Sequence, residues 1–104
     1  MDDFAAVAQQ CHDDSAMWFP NSAHDLTYMA LALCGEAGEF ANEVKKVVRG
    51  DVTVQQALPF LREELVDVFI YLMNLVELLK MDLTQEYIRK REINLARFGS
   101  NNGT

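Results

Sequence analysis

Apolar residues recur at helical spacing along most of the chain, and no stretch alternates apolar with polar positions for long enough to build a sheet. The pattern predicts an all-α fold of four helices. Asp2 or Asp3 can cap a first, minor helix that runs to about Cys11 on a weak stripe of Phe4, Val7 and Ala8. Asp13-Asp14-Ser15 and Phe19-Pro20-Asn21-Ser22 then read as loop, because Pro20 biases Phe19 away from helical geometry. A second helix is expected from about Ala23 to Arg49, ending before Gly50. Leu26, Met29, Leu31, Leu33, Phe40 and Val44 make it apolar on most faces, which places it centrally. After a connection with one short helical turn, Pro59 fits the first turn of a third helix that runs to about Lys80. Its wide apolar face is Leu61, Leu65, Val68, Phe69, Leu72, Leu75, Val76 and Leu79, and Glu64, Asp67, Tyr71 and Asn74 form a polar stripe beside it. Thr84 is placed to cap a fourth helix that ends by Phe98-Gly99, ahead of a short polar tail. The whole of 1–104 reads as one domain, with 1–22 as an N-terminal helix and loop and 99–104 as a flexible tail.

Two runs interrupt the apolar pattern with acids. Gly35-Glu36-Ala37-Gly38-Glu39-Phe40-Ala41-Asn42-Glu43 is answered by Glu63-Glu64-Leu65-Val66-Asp67 on the next long helix. Acids at i and i+3 lie on one helix face, so Glu36 with Glu39 and Glu64 with Asp67 each project a pair of carboxylates. A single such pair is close to noise and ordinarily marks a solvated face with lysine partners. Two pairs set among apolar residues need cations, and an all-carboxylate set suits a hard ion, Mg²⁺ first and Mn²⁺ second. Glu43 continues the first stripe by one turn and reads as a further ligand, as the base that orients water, or as a partner of Lys46. Glu63 falls off the Glu64–Asp67 face and reads as a surface acid. Gly35 and Gly38, each costing about 1 kcal/mol relative to Ala inside a helix, point to a close neighbour: another helix, or metals and phosphates beside Glu36 and Glu39.

G-E-x-G-E followed by E-E-L-x-D-V-x-I-Y-L resembles the all-α nucleoside triphosphate pyrophosphatases, the MazG-like group that includes the dCTP pyrophosphatases. The resemblance covers about Ala23 to Phe98, and Glu36, Glu39, Glu64 and Asp67 match the defining E-x-x-E and E-x-x-D pair. It implies a Mg²⁺-dependent hydrolase that cuts between the α and β phosphates of a nucleotide, and a homodimer or dimer-of-dimers tetramer that completes the bundle.

Lys90, Asn94 and Arg97 fall at i, i+4 and i+7 on the last helix, a stripe that basic residues near a helix C-terminus also form for reasons of the dipole alone. With Phe98 behind them they are similar to the phosphate-handling pattern of the dCTP-pyrophosphatase branch, and Tyr71 matches a site tyrosine there. Trp18, Phe19 and His24 are candidates for the base, since aromatic faces stack on any nucleobase and a histidine adds one directional hydrogen bond. For Trp18 and Phe19 the alternative is a hydrophobic clamp. The resemblance departs from the family pattern at two points. Pro20 stands at the expected tryptophan position, and the aromatic expected after the first acid motif gives way to Lys45-Lys46, so that Lys46 joins the candidate substrate contacts. Arg89 and Arg91 read as solvated, and His12 as exposed.

Composition narrows the classes. A net charge of −7 argues against a general nucleic-acid surface, which needs a basic stripe, and leaves an anionic substrate dependent on metal ions. Cys11 and Cys34 have nothing that recommends a disulfide, and the acidic Met1-Asp2-Asp3-Phe4 lacks the basic and then apolar order of a secretory leader, so cytoplasmic residence is expected. The most apolar run, Val66 to Leu79, is interrupted by Asp67, Asn74 and Glu77 and is too short to span a bilayer. A di-iron carboxylate bundle wants Glu-x-x-His pairs, and neither His12 nor His24 follows a glutamate at i−3. A non-catalytic helical dimer that binds metal or nucleotide is the other class these features admit.

Overall fold

The structure is a computed structural model that describes residues 3–99. It is built of four α-helices, α1 (Asp3–Trp18), α2 (Leu26–Val48), α3 (Val54–Leu78) and α4 (Leu83–Asn94), with a closing π-helical turn at Leu95–Gly99. No strand occurs among the described residues, as the periodicity predicts. The part of the expected tail beyond Gly99, and Asp2 as an alternative first cap, lie outside the described residues.

Helix α3, not α2, is the central element. α2 packs along one flank of α3 and α1 along another, while α4 packs on α1. The reason lies in how the apolar positions distribute. α2 buries Met29 fully but leaves Leu31 67% and Val48 80% exposed, whereas α3 buries Ala57, Met73, Asn74 and Val76. The main core is formed where Ala8 of α1 meets Met73 and Val76, backed by Cys11, Phe69 and Leu83. Burial of the Cys11 thiol, and secondarily the charge of Asp14, raises its pKa above the ordinary value, so it stays a neutral thiol; Cys34 is also free.

The first helix is longer and more important than expected. Asp13, Asp14 and Ser15 continue it, because Gln9 donates to Asp13 at 2.8 Å and Gln10 to Asp14 at 2.9 Å along its exposed face. The polar run that looked like loop is a helix surface, and its buried member, Ser15, is small enough to sit against α3. α2 starts at Leu26 rather than Ala23, capped by Asp25, whose carboxylate accepts from Tyr28 N at 3.1 Å. α3 starts five residues earlier than Pro59 suggested. Thr53 and Gln56 form a reciprocal capping box, with Gln56 N donating to Thr53 Oγ1 at 3.1 Å and Thr53 N to Gln56 Oε1 at 2.9 Å. Pro59 therefore lies inside the helix, past the first-turn positions that have no intrahelical partner, and forgoes the backbone bond that an N–H there would make to Gln55. Asp82, not Thr84, caps α4 by accepting from Gln85 N.

The ends of α2 and α3 are alike. Each closes with a left-handed residue and a six-to-one backbone bond, Gly50 with Asp51 N donating to Lys46 O at 2.9 Å, and Lys80 with Met81 N donating to Val76 O at 3.0 Å. Glycine meets the φ of 82° at Gly50 without strain, but Lys80 holds a φ of 53° with a full side chain. The stop at Gly50 and the Thr53 cap turn the chain between α2 and α3, whose packing as a hairpin brings the acid motifs together.

Candidate active site

Glu36 on α2 and Glu64 and Asp67 on α3 each present a carboxylate oxygen within 4.8 Å of the others. All three are half-buried, and Glu36 Oε2 and Glu64 Oε2 are buried without a hydrogen-bond partner. Orphaned carboxylate oxygens facing one another are unfavourable in water-poor surroundings. The cost appears at Glu64, whose carboxyl is pushed from its ordinary 4.5 up to about 7. Loss of hydration is the first cause. A hydrogen bond to Glu36, which exists only when Glu64 carries a proton, comes next, followed by the charges of Glu39 and Glu36. Glu39, expected as the fourth ligand, is exposed and lies outside the three-oxygen group, though near enough to Glu64 to disfavour its ionisation.

The three carboxylates fit a hard divalent cation. The donor set is all oxygen, and two of its residues carry a buried carboxylate oxygen with no other partner.

Two cavities flank this group and share no lining residue. On one side, a pocket of about 200 Å³ is walled by Trp18, Phe19, Tyr28 and Tyr71, floored by Met29 and Ile70, and edged by Glu36 and Asp67. Tyr71 is held above its ordinary pKa, first by loss of hydration and then by Tyr28, Glu36 and Asp67, so it presents a neutral hydroxyl. On the other side, a more open groove of about 400 Å³ is lined by Glu39, Asn42, Glu43, Lys45, Lys46 and Arg49 of α2, with Glu64 across from them. Within it Lys46 pairs with Glu43 at 3.0 Å, the lysine partnership that the i, i+3 spacing offered.

Of the expected site residues, the hairpin unites Glu36, Glu64, Asp67 and Tyr71, the end of α1 adds Trp18 beside them, and Glu39, Glu43 and Lys46 line the groove. The others stand elsewhere. His24 does not line the aromatic pocket; its ring packs edge-on against His12, with centroids 4.9 Å apart, and His12 is half-buried rather than exposed. Lys90 and Asn94 are exposed on α4, which packs on α1, and Arg97 lies over the Phe98 ring at 5.1 Å. The π-helical turn widens the backbone from Leu95 onward, so the i+7 register that put Arg97 in line with Lys90 does not hold. Asn74, expected on the polar stripe, is fully buried, its Nδ2 donating to Ile70 O at 3.0 Å and its Oδ1 left without a partner. Gly35 and Gly38 have nothing within 4 Å of where a Cβ would stand, so no close neighbour inside this chain explains them.

Several further lining residues carry a signal in the sequence. Tyr28 precedes Glu36 by eight positions, two turns of the same face. Glu39, Asn42, Lys46 and Arg49 fall at i, i+3, i+7 and i+10, a single stripe beside the metal-facing one. Ser15 had no such signal, because it was read as loop.

Among curated proteins, the chain is similar to the "Gene 37 protein" of Mycobacterium phage L5, with 36% identity over 76 residues. The match takes in 71% of this chain and 65% of that protein, so the chain spans about 65% of the length of the curated relative it matches. That relative's name states no activity. No family model matches the chain, and no solved structure matches it. Among the described residues, no helix is long and apolar enough to cross a membrane.

Proposed function

We propose that this protein is a Mg²⁺-dependent nucleoside triphosphate pyrophosphohydrolase of the MazG-like kind, nearest the dCTP-pyrophosphatase branch, acting as a homodimer or dimer of dimers in nucleotide-pool control. The observation that carries the reading is the position of Glu36, Glu64 and Asp67 between an aromatic pocket and a groove that holds Lys45, Lys46 and Arg49. A molecule with a flat ring at one end and a polyanion at the other matches that succession, and a nucleotide is such a molecule.

Glu36, Glu64 and Asp67 would hold the cation, with Glu39 within reach of its solvent side. When bound, a divalent ion there neutralises phosphate charge and acidifies water. The chain's own residues do the remainder. Trp18 and Tyr71 offer faces to the base, and the neutral Tyr71 hydroxyl offers one hydrogen bond. In the reaction a water oxygen bonds to phosphorus while the bridging P–O bond between the α and β phosphates breaks, its electron pair leaving with pyrophosphate. The water proton passes to a carboxylate of the acid group, across from the leaving pyrophosphate.

The test is hydrolysis of a panel of ordinary and modified (d)NTPs with and without Mg²⁺, scored for monophosphate and pyrophosphate. Metal-dependent release of both, lost in Glu36→Gln, supports the reading. Release of inorganic phosphate alone, or a rate untouched by Glu36→Gln, refutes it and leaves the helical interaction module.

A further inference from the structure

Resting on that reading, we infer that the groove of Asn42, Lys46 and Arg49 is the subsite for the diphosphate end of the nucleotide, which fixes the direction in which the substrate lies along α2. The ring then occupies the pocket near the start of α2 and the leaving pyrophosphate lies over its C-terminal half.

Four observations converge on this. The groove begins at Glu39 and Glu64, beside the cation-holding group, and leads away from the aromatic pocket without sharing a lining residue with it. Its three cations, Lys45, Lys46 and Arg49, meet Glu39, Glu43 and, at the groove's edge, Glu64 of the cation-holding group; a cation taken up there tips the balance further towards positive, which an incoming polyanion requires. Lys46 is paired with the half-buried Glu43, and Arg49 with the exposed Asp51 at 3.0 and 3.1 Å, both basic side chains lying at the surface. Such pairs contribute little and exchange readily for phosphate oxygens, which a guanidinium meets with two parallel bonds. Side chains on a helix also lean towards its N-terminus, so Lys46, already paired with Glu43, reaches back along α2 towards Glu39, a direction open to Arg49 once it leaves Asp51.

The inference assigns to α2 the role that the sequence pattern offered to Lys90, Asn94 and Arg97 on α4, and the two are separable. Binding of Mg²⁺-pyrophosphate and of a nucleoside monophosphate is measured by calorimetry on the full chain and on Arg49→Gln, Asn42→Ala and Lys90→Gln, each checked for an unchanged melting temperature. Arg49→Gln is expected to weaken pyrophosphate by about tenfold or more, the scale of a lost charge-assisted hydrogen bond, with Asn42→Ala weakening it less. Both should leave monophosphate affinity within about twofold, since the monophosphate does not extend into the groove. Equal pyrophosphate affinity in parent and Arg49→Gln, or its loss in Lys90→Gln alone, overturns the inference. Triphosphate hydrolysis is followed in the same samples. Hydrolysis with pyrophosphate affinity indifferent to Arg49 sinks the subsite and keeps the enzyme; Arg49-dependent pyrophosphate binding without hydrolysis keeps the subsite and sinks the enzyme.

Discussion

Glu36 of α2 and Glu64 of α3 face each other across the hairpin, each with one buried carboxylate oxygen that no donor satisfies. Two acids in that position cannot both ionise comfortably, and the chain answers by keeping Glu64 protonated up to about pH 7.

This makes the metal-free protein less stable as pH rises. Between the ordinary 4.5 and the folded value of about 7, the folded state binds the Glu64 proton and the unfolded state has released it. Stability therefore falls with pH across that window: the contribution is fully present below about 4.5 and lost above about 7. Melting in chelator at pH 5, 6, 7 and 8 should show a steady decline, and Glu64→Gln, which cannot ionise, should flatten it. A curve of equal slope in both proteins would place the effect elsewhere.

Metal should reverse the trend. Mg²⁺ and the proton compete for the same oxygens, so the rise in melting temperature on adding Mg²⁺ should grow as pH passes through about 7. The geometry also ranks the ligands. Glu36→Gln and Glu64→Gln should remove most of the Mg²⁺ response, because each takes away one of the three converging oxygens. Glu39→Gln, at an exposed position outside that group, should keep part of it and leave the metal-free protein as stable as the parent or slightly more so. Hydrolysis should fall on the order of a hundredfold in the first two. Glu63→Gln should change neither property.

The acid pairs were legible because i, i+3 spacing survives any error in helix ends, and an antiparallel hairpin needs only the right connection to bring two faces together. What was not legible depended on competition among weak local signals. Asp13 and Asp14 look like loop until their glutamine partners four residues back are counted. Pro59 outweighed the Thr53–Gln56 capping box as a start signal, though the box satisfies two backbone donors and the proline satisfies none. The placement of Lys90 and Arg97 presupposed a helix regular to its end, and the π-helical turn removes that premise. His24 was read for its chemistry alone, and its contact with His12 is a tertiary fact with no local trace.

The shape of the single chain supports the proposed self-association. The Cα radius of gyration is 17.0 Å, against about 13 Å for a compact chain of this length. Leu31 and Val48 on α2, Phe60, Leu65 and Val66 on α3 and Tyr87 on α4 are all more than half exposed. An apolar surface of that extent is characteristic of an interface. Light scattering at micromolar concentration should return two or four times the chain mass of 11.8 kDa. The mass of a single chain would refute the proposed assembly, and it would also leave Gly35 and Gly38 without a neighbour.

Asn74 offers the sharpest test of how the hairpin core is built. It is fully buried on α3, one turn beyond Ile70 and Tyr71 of the aromatic pocket, and its Nδ2 donates to a carbonyl that α-helical geometry already engages. Its Oδ1 has no partner, and an unsatisfied buried acceptor costs about 1–3 kcal/mol. Leucine has a similar volume and no polar atom, so Asn74→Leu should stabilise the metal-free protein by about 1 kcal/mol once loss of the Nδ2 bond is set against removal of the orphan. Asn74→Asp keeps the shape but adds a charge to that site, and should destabilise by about 3 kcal/mol or more at pH 8, recovering at low pH as the new carboxyl is protonated. Urea melts of the three proteins at pH 5 and pH 8 distinguish these outcomes. If Asn74→Leu is instead the damaging substitution at both pH values, Oδ1 is satisfied in solution by a buried water, and the polar stripe of α3 continues into the core as the amino-acid pattern first suggested.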